Sequence, residues 1–176
     1  MATHTTTEHE YVTGTFRDRE SAESAYNALL KRGYTADEVN VMMSDDTRKR
    51  HFSKTTVDTD LGSKAAEGGM TGAAIGGTAG AIAGVLAAAG TLAIPGLGIV
   101  LAGPLAAGLA GLGAGGAAGG LIGMLVGAGI PEERAKVYQT DIQNGGIVVG
   151  VKPRTHDEAH ELETEWTRFH GENIYH

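Results

Sequence analysis

Two histidines four residues apart come closest to a metal motif in this sequence. They are His156 and His160 in the stretch "HDEAH", and on a helix this spacing places both imidazoles on one face, as in paired zinc ligands. A zinc metalloprotease also needs Glu directly after the first histidine, and Asp157 occupies that position. Glu161 or Glu163 completes a site only if the fold happens to bring its carboxylate to the pair. We therefore expect a solvated helix face and predict no metal centre.

Other catalytic and cofactor motifs lack the context that they need. Gly111, Gly113 and Gly116 match the GxGxxG dinucleotide fingerprint, but they lie inside an apolar segment and not between a strand and a helix. The sequence has no GxxxxGK[ST] phosphate loop and no cysteine, which excludes disulfides, cysteine-ligated metals and thiol catalysis. We predict that the protein is not an enzyme, with no catalytic residue and no cofactor, and we identify no small-molecule substrate.

The distribution of charge limits the partners. The formal net charge is -7, which argues against nucleic acid because phosphate binding needs clustered Lys and Arg. One dense basic stretch contains Arg48, Lys49, Arg50 and Lys54. Contact with anionic lipid headgroups is one prediction for it, made for the case that the insertion enters a bilayer, and a plain solvated linker is the other. The N-terminal stretch "MATHTTTEHE" has neither the basic nor the apolar region of a signal peptide, so we expect the polar parts to be cytoplasmic.

Two polar flanks carry the elements that would position these residues. In the first flank, "YVTGTF" predicts a strand, the apolar face from Ala22 to Leu30 predicts a helix, and "EVNVMM" predicts a second strand. In the second flank, a helix from Pro131 precedes a buried strand at "GIVVGV", a helix that begins at the capping box Thr155 to Glu158, and an edge strand at "NIYH". This order predicts an α+β, ferredoxin-like split βαβ domain with an insertion between its second and third strands.

The insertion has no Asp, Glu, Lys, Arg or His from Gly68 to Pro131. Glycine recurs there at every fourth position in two runs, which are Gly68, Gly72, Gly76, Gly80 and Gly84, and then Gly111, Gly115, Gly119, Gly123 and Gly127. On a helix this spacing makes a groove without side chains, along which another helix packs closely. We predict a glycine-zipper hairpin of two helices of about 23 to 27 residues, each long enough for a bilayer core, joined at a hydrophobic tip of Pro95, Gly96 and Leu97.

The predicted organisation has four parts. They are a first βαβ half at 1–44, a charged linker at 45–67, the glycine-zipper hairpin at 68–130, and a helix plus the second βαβ half at 131–176. Basic residues on both sides of the hairpin favour a membrane element. Its many Gly and Ala residues and its uncharged tip instead fit the alternative, which is burial between copies in a soluble assembly.

Three stretches of the chain resemble one protein family. They are "VTGTFRDRESAESAYNALLKRGYTADEVNVMM", "LAIPGLGIVLAGPLAAGLAG" and "GAGIPEERAKVYQTDIQNGGIVVGV", and they resemble the YflT-like bacterial general stress proteins, also described as glycine-zipper stress proteins. The resemblance covers most of the chain. It implies a role in stress and association with a membrane, and it brings no catalytic residues.

These observations predict a non-enzymatic bacterial stress-response protein that forms a homo-oligomer through glycine-zipper helices, at or in the inner membrane on its cytoplasmic side, with lipid as a partner. One alternative is a soluble self-assembling structural protein, such as a cage, tube or filament, with the hairpins in its interior. A second alternative is a ligand-sensing regulatory module. The first hypothesis predicts that Gly76→Leu or Gly119→Leu disrupts assembly and leaves the flanking domain folded.

Overall fold

The computed structural model describes residues 11–52, 80–88, 92–94, 98–112 and 120–176. Over these ranges the chain has an α+β fold with one six-stranded antiparallel sheet and seven helices. The strands are β1 (Val12–Phe16), β2 (Val39–Ser44), β3 (Leu92–Ile94), β4 (Ile99–Ala102), β5 (Ile147–Val151) and β6 (Glu172–Tyr175). The helices are α1 (Arg19–Lys31), α2 (Asp45–Phe52), α3 (Ala81–Ala88), α4 (Pro104–Leu112), α5 (Gly120–Gly127), α6 (Glu132–Gln143) and α7 (His156–Arg168). The predicted α+β class is confirmed.

The sheet order is β3-β4-β2-β5-β1-β6. Strand β5 lies between β1 and β2, with Val149 opposite both Gly14 and Val41. Strand β1 in turn lies between β5 and β6. The two βαβ units of the flanks therefore share one sheet, and each unit crosses over a strand of the other.

The segment predicted as the hairpin turn adds two strands to this sheet. β3 pairs with β4, and β4 pairs with β2, which places Leu101 opposite Met42. The apolar, β-branched run Ile99–Ala102 suits a buried strand better than a loop. At the end of β4, Gly103 has a φ of 101°, and a Cβ there would overlap the carbonyl of Val39, so the turn into α4 requires glycine. The predicted tip residues Pro95, Gly96 and Leu97 lie outside the described residues.

Within the described residues, the insertion does not show the two long helices that the sequence predicted, because the backbone leaves the helical region at Gly80 and Gly120. Its described helices α3, α4 and α5 have 8, 9 and 8 residues. Gly80 has a φ of 138° and Gly120 a φ of 59°, whereas a helical residue has a φ near −63°. Glycine adopts such angles freely, so Gly80, a member of the repeat, and Gly120, next to the repeat position Gly119, lie where the described helices α3 and α5 begin. Within the described ranges, no helix combines the length and the hydropathy needed to cross a bilayer.

The sheet is covered on both faces, and each face has its own apolar core. The inner core includes Phe16, Tyr26 and Trp166, together with Ile82 and Val85 of α3. The outer core includes Leu101 of β4, Leu121 and Leu125 of α5, and Tyr138 and Ile142 of α6. Residues along β2 alternate between the two cores, because successive side chains of a strand point to opposite faces. The insertion therefore contributes to both layers that cover the sheet.

Side chains of the first flank cap two helices of the insertion. Glu23 on α1 accepts a hydrogen bond from the backbone N–H of Ile82, at 3.1 Å, in the first turn of α3. Asn40 on β2 accepts one from the backbone N–H of Leu105, at 2.8 Å, in the first turn of α4. These N–H groups have no partner within their own helices, so the flank satisfies them. The caps fix where the two helices begin on the folded flank.

Candidate functional site

Five of the ten glycines predicted to form ladders lie within the described ranges. Gly84 lies in α3, Gly111 in α4, and Gly123 and Gly127 in α5, while Gly80 precedes α3. The described members are thus distributed over three short helices and the residue that precedes one of them. The other five lie outside the described residues and are Gly68, Gly72, Gly76, Gly115 and Gly119.

Helix α5 has one buried face and one open face. Leu121 and Leu125 are fully buried in the outer core. On the opposite side Gly123 and Gly127 are exposed, and apart from their chain neighbours and their own helix backbone no described atom lies within 4 Å of a Cβ built at either glycine. Val126, on the same side, is 44% exposed. We call Gly123, Val126 and Gly127 the open α5 face.

Two other insertion helices also carry exposed glycines. Gly84 on α3 and Gly108 on α4 are exposed, and among the described residues nothing lies within 4 Å of a Cβ at either position. Among the predicted ladder glycines, Gly84, Gly123 and Gly127 therefore make no close helix packing with another described part of the chain.

The basic residues predicted to contact lipid belong to helix α2, so the first part of the predicted linker is helical. Arg48 Nη2 lies 2.7 Å from Asp45 Oδ1, and Lys49 Nζ lies 2.6 Å from Asp45 Oδ2. Hydrogen bonds from Lys49 and then Arg48 lower the pKa of the Asp45 carboxyl. Arg50 donates to the carbonyl of Asp46. A lipid headgroup would compete with these contacts; Lys54 lies outside the described residues.

A buried polar network joins β1, α6 and the edge strand β6. The hydroxyl groups of Thr13 and Tyr138 lie 2.7 Å apart, and Tyr138 donates to the carbonyl of Asn173. Asp141 Oδ2 accepts from both Thr15 and the side-chain amide of Asn173, each at 2.8 Å. Burial raises the pKa of Tyr138. Because these donors and acceptors satisfy one another, the network fits a role in holding β6 to β1.

A groove of about 450 Å³ lies between α1 and α7 and is open to solvent. Arg32, which lines it, reaches across to α7 and lies 2.8 Å from Glu161 and 3.0 Å from Glu165. The two carboxylates occupy the guanidinium that would otherwise bind an anion in the groove. We therefore assign these residues to the packing of α1 on α7.

The stretch "HDEAH" lies at the start of α7, where Thr155 caps the helix by accepting from the N–H of Glu158. The ring centroids of His156 and His160 are 4.8 Å apart. A third imidazole, that of His176, follows β6, and its centroid lies 4.6 Å from that of His160. The sequence analysis missed His176, because only the return of β6 along the sheet brings it to α7.

Comparison of the chain with protein-family models, with curated proteins and with solved structures gives no match. The resemblance to the YflT-like stress proteins therefore stays a prediction from the quoted stretches.

Proposed function

We propose that this chain is a non-enzymatic bacterial stress-response protein that self-associates through its glycine-bearing helices, at or in the inner membrane on the cytoplasmic side. One observation carries the self-association. On the open α5 face, Val126 is 44% exposed beside two glycines that no described atom approaches. A helix packed there would remove apolar surface from water and come into close backbone contact.

A second copy of the same chain is the partner that this face favours. Each copy carries the same open α5 face, and a two-fold axis allows one patch to pack on its own counterpart. Glycine within a helix costs about 1 kcal/mol relative to alanine. Exposed glycines one turn apart in a helix of 8 residues therefore favour a contact that compensates for this cost.

The frame that presents this face is proposed to be a ferredoxin-like module. Four flank strands in the order β2-β5-β1-β6, with every neighbouring pair antiparallel, support this proposal. Helices α1 and α7 contribute to the inner core, as the two crossover helices of that module would. The insertion then extends the sheet beyond β2 and supplies α4 and α5 to the other face.

A soluble assembly is the second candidate, and the burial of the insertion favours it. Ile82, Leu121 and Leu125 are fully buried in the chain's own cores. A bilayer would have to replace that packing, whereas an assembly through the open α5 face leaves it intact. Membrane contact through the basic residues of α2 would also leave it intact.

The test compares Gly123→Leu with Gly127→Leu in the untagged full chain. Light scattering during size exclusion without detergent measures the mass, and flotation with anionic phosphatidylglycerol vesicles measures lipid binding. We expect the wild-type chain to be an oligomer. Each variant should shift toward the monomer, because the new leucine side chain occupies the space on the open α5 face where the second copy would pack. Both variants should stay folded, since no described atom lies near either position.

Thr164→Leu is the matched control, because it adds similar bulk at an exposed position on α7 and should leave the mass unchanged. A monomeric wild-type chain, or glycine variants with the wild-type mass, would contradict the proposal. Flotation of the wild-type chain places the oligomer on a membrane, and an oligomer that stays at the bottom of the gradient favours the soluble assembly.

A further inference from the structure

We propose that His160, Glu163 and His176 bind one divalent transition-metal ion, for which Zn²⁺ is the probe. The two imidazoles and the carboxylate come from α7 and from the residue that follows β6. Each residue offers one ligand atom, and the three atoms lie within 4.8 Å of one another. This inference does not depend on the proposed self-association.

The separations between the ligand atoms are close to those of a metal site. His176 Nε2 lies 2.8 Å from Glu163 Oε2, and His160 Nδ1 lies 3.8 Å from the same oxygen. Zinc binds imidazole nitrogen and carboxylate oxygen at about 2.0 to 2.2 Å, so two ligands in a tetrahedral site stand roughly 3.4 Å apart. Small rotations of exposed side chains bring the three atoms to that spacing.

The donor set selects the class of metal. Two imidazole nitrogens and one carboxylate oxygen suit zinc, and also ferrous iron, better than Mg²⁺ or Ca²⁺, which prefer oxygen ligands alone. Three protein ligands leave at least one position for water.

The structure changes which residues form the candidate site. The sequence pairs His156 with His160, but the cluster of ligand atoms within reach of one ion omits His156. Its partners are Glu163, one turn further along α7, and His176. The ring centroid of His156 is 6.4 Å from that of His176, which is farther than the 4.6 Å between His160 and His176.

A bound ion would join the edge strand to the helix that packs beside it. His176 is 21% exposed in its side chain, and His160 and Glu163 are 56% and 46% exposed. The site is therefore accessible from solvent and needs no opening of the core. Because the folded state alone brings the three ligands together, Zn²⁺ should raise the melting temperature.

Isothermal titration of ZnCl₂ into the untagged, chelator-treated full chain tests the proposal. We expect saturable binding of one Zn²⁺ at this site in the wild-type chain, and an affinity at least tenfold weaker in each of His160→Gln and His176→Gln. His51→Gln, at an exposed histidine of α2, is the matched control and should bind as the wild type does. Circular dichroism without metal shows whether each variant is folded.

Two further measurements separate this site from binding elsewhere in the chain. Zn²⁺ should raise the melting temperature of the wild-type chain and of His51→Gln, and the rise should be lost in His176→Gln. Co²⁺ should give visible absorption typical of four-coordinate nitrogen and oxygen ligation, and His160→Gln should abolish it. The proposal is overturned if the wild-type chain shows no saturable binding, or if His160→Gln and His176→Gln bind Zn²⁺ as tightly as the wild type.

Discussion

The two faces of the sheet are covered by helices of different kinds. The inner face is covered mainly by α1 and α7, which bring Tyr26 and Trp166 to the core and keep charged residues on the outside. The outer face is covered by α6 and by two helices of the insertion, α4 and α5. Of these three, α4 and α5 contain no charged residue. A helix with one apolar face shows which side is buried, and a helix that is apolar all around does not.

The apolar surface on all sides of α4 and α5 explains why the sequence of the insertion predicts a membrane element. A helix that is apolar on every side is typical of a bilayer or of a protein interior. In the described structure part of that surface packs on the sheet, and the open α5 face is what remains. The helices on the inner face and those on the outer face either unfold together as one cooperative unit or unfold separately, and mutations distinguish the two cases.

The largest expected effect comes from a matched pair of leucines, one in the helix layer on each face of the sheet. Leu162 on α7 and Leu125 on α5 are both fully buried, and replacement of a buried leucine by alanine costs about 2 to 5 kcal/mol. We expect Leu162→Ala and Leu125→Ala to lower the free energy of unfolding by similar amounts within that range. Urea unfolding followed by tryptophan fluorescence measures both, because Trp166 lies in the inner core.

Unequal effects of Leu125→Ala and Leu162→Ala on unfolding would show that the two helix layers do not stabilise the fold together. If Leu125→Ala leaves the unfolding of the Trp166 core unchanged, the insertion is a separate unit, as the sequence had predicted. If both variants shift a single cooperative transition, the insertion is part of the same domain. Val137→Ala, at a valine that is 36% exposed on α6, should shift the transition far less than either leucine variant and serves as the control.

The elements of the two flanks could be predicted because their local signals agree. Thr155 accepts from the N–H of Glu158 as a capping box predicts, although Glu158 itself accepts from the N–H of Arg154. The helix at Pro131 and the strand at "GIVVGV" appear as α6 and β5. In each case residue type and apolar period indicate the same element.

The insertion could not be predicted in the same way, because its structure depends on contacts from elsewhere in the chain. Leu101 belongs to a strand since β2 lies beside it, and α4 begins where Asn40 supplies an acceptor. The candidate metal site follows the same rule: "HDEAH" is visible in the sequence, but His176 reaches α7 only through the sheet. Spacing along the chain carries no signal for such distant partners.

The second expected effect tests the cap that joins β2 to α4. Asn40→Ala removes the acceptor for the N–H of Leu105, and loss of such a cap costs about 0.5 to 2 kcal/mol. Since the side-chain amide nitrogen of Asn40 is itself buried without a partner, we expect the lower half of that range. Urea unfolding measures the cost, and hydrogen exchange at Leu105 should become faster.

Asn144→Ala, at an exposed asparagine that ends α6, is the control for this experiment. The described contacts predict no effect of that change on exchange at Leu105. An Asn40→Ala chain with wild-type stability and wild-type exchange at Leu105 would show that α4 does not depend on β2 for its start.

The smallest expected effect is the pH dependence that Glu23 gives to the contact between α1 and α3. Burial is the largest cause of its raised pKa, and the hydrogen bond from Ile82 opposes it. A carboxyl whose pKa is higher in the folded chain binds its proton more tightly there, so its favourable contribution is present below the unfolded pKa, about 4.3. That contribution is lost as the pH rises through the folded pKa.

Glu23→Gln removes this titration and keeps an oxygen acceptor for the N–H of Ile82. The stability of the variant relative to the wild type should therefore increase between pH 4 and pH 7, by less than the roughly 1 kcal/mol of a typical hydrogen bond. Glu20→Gln, at an exposed position of the same helix, is the control for the loss of one negative charge. If Glu23→Gln instead loses stability relative to the wild type toward pH 7, the charged carboxylate is the better cap. In that case two favourable interactions outweigh the cost of burying the charge. They are the positive end of the α3 dipole and Arg19, which lies 3.7 Å from Glu23.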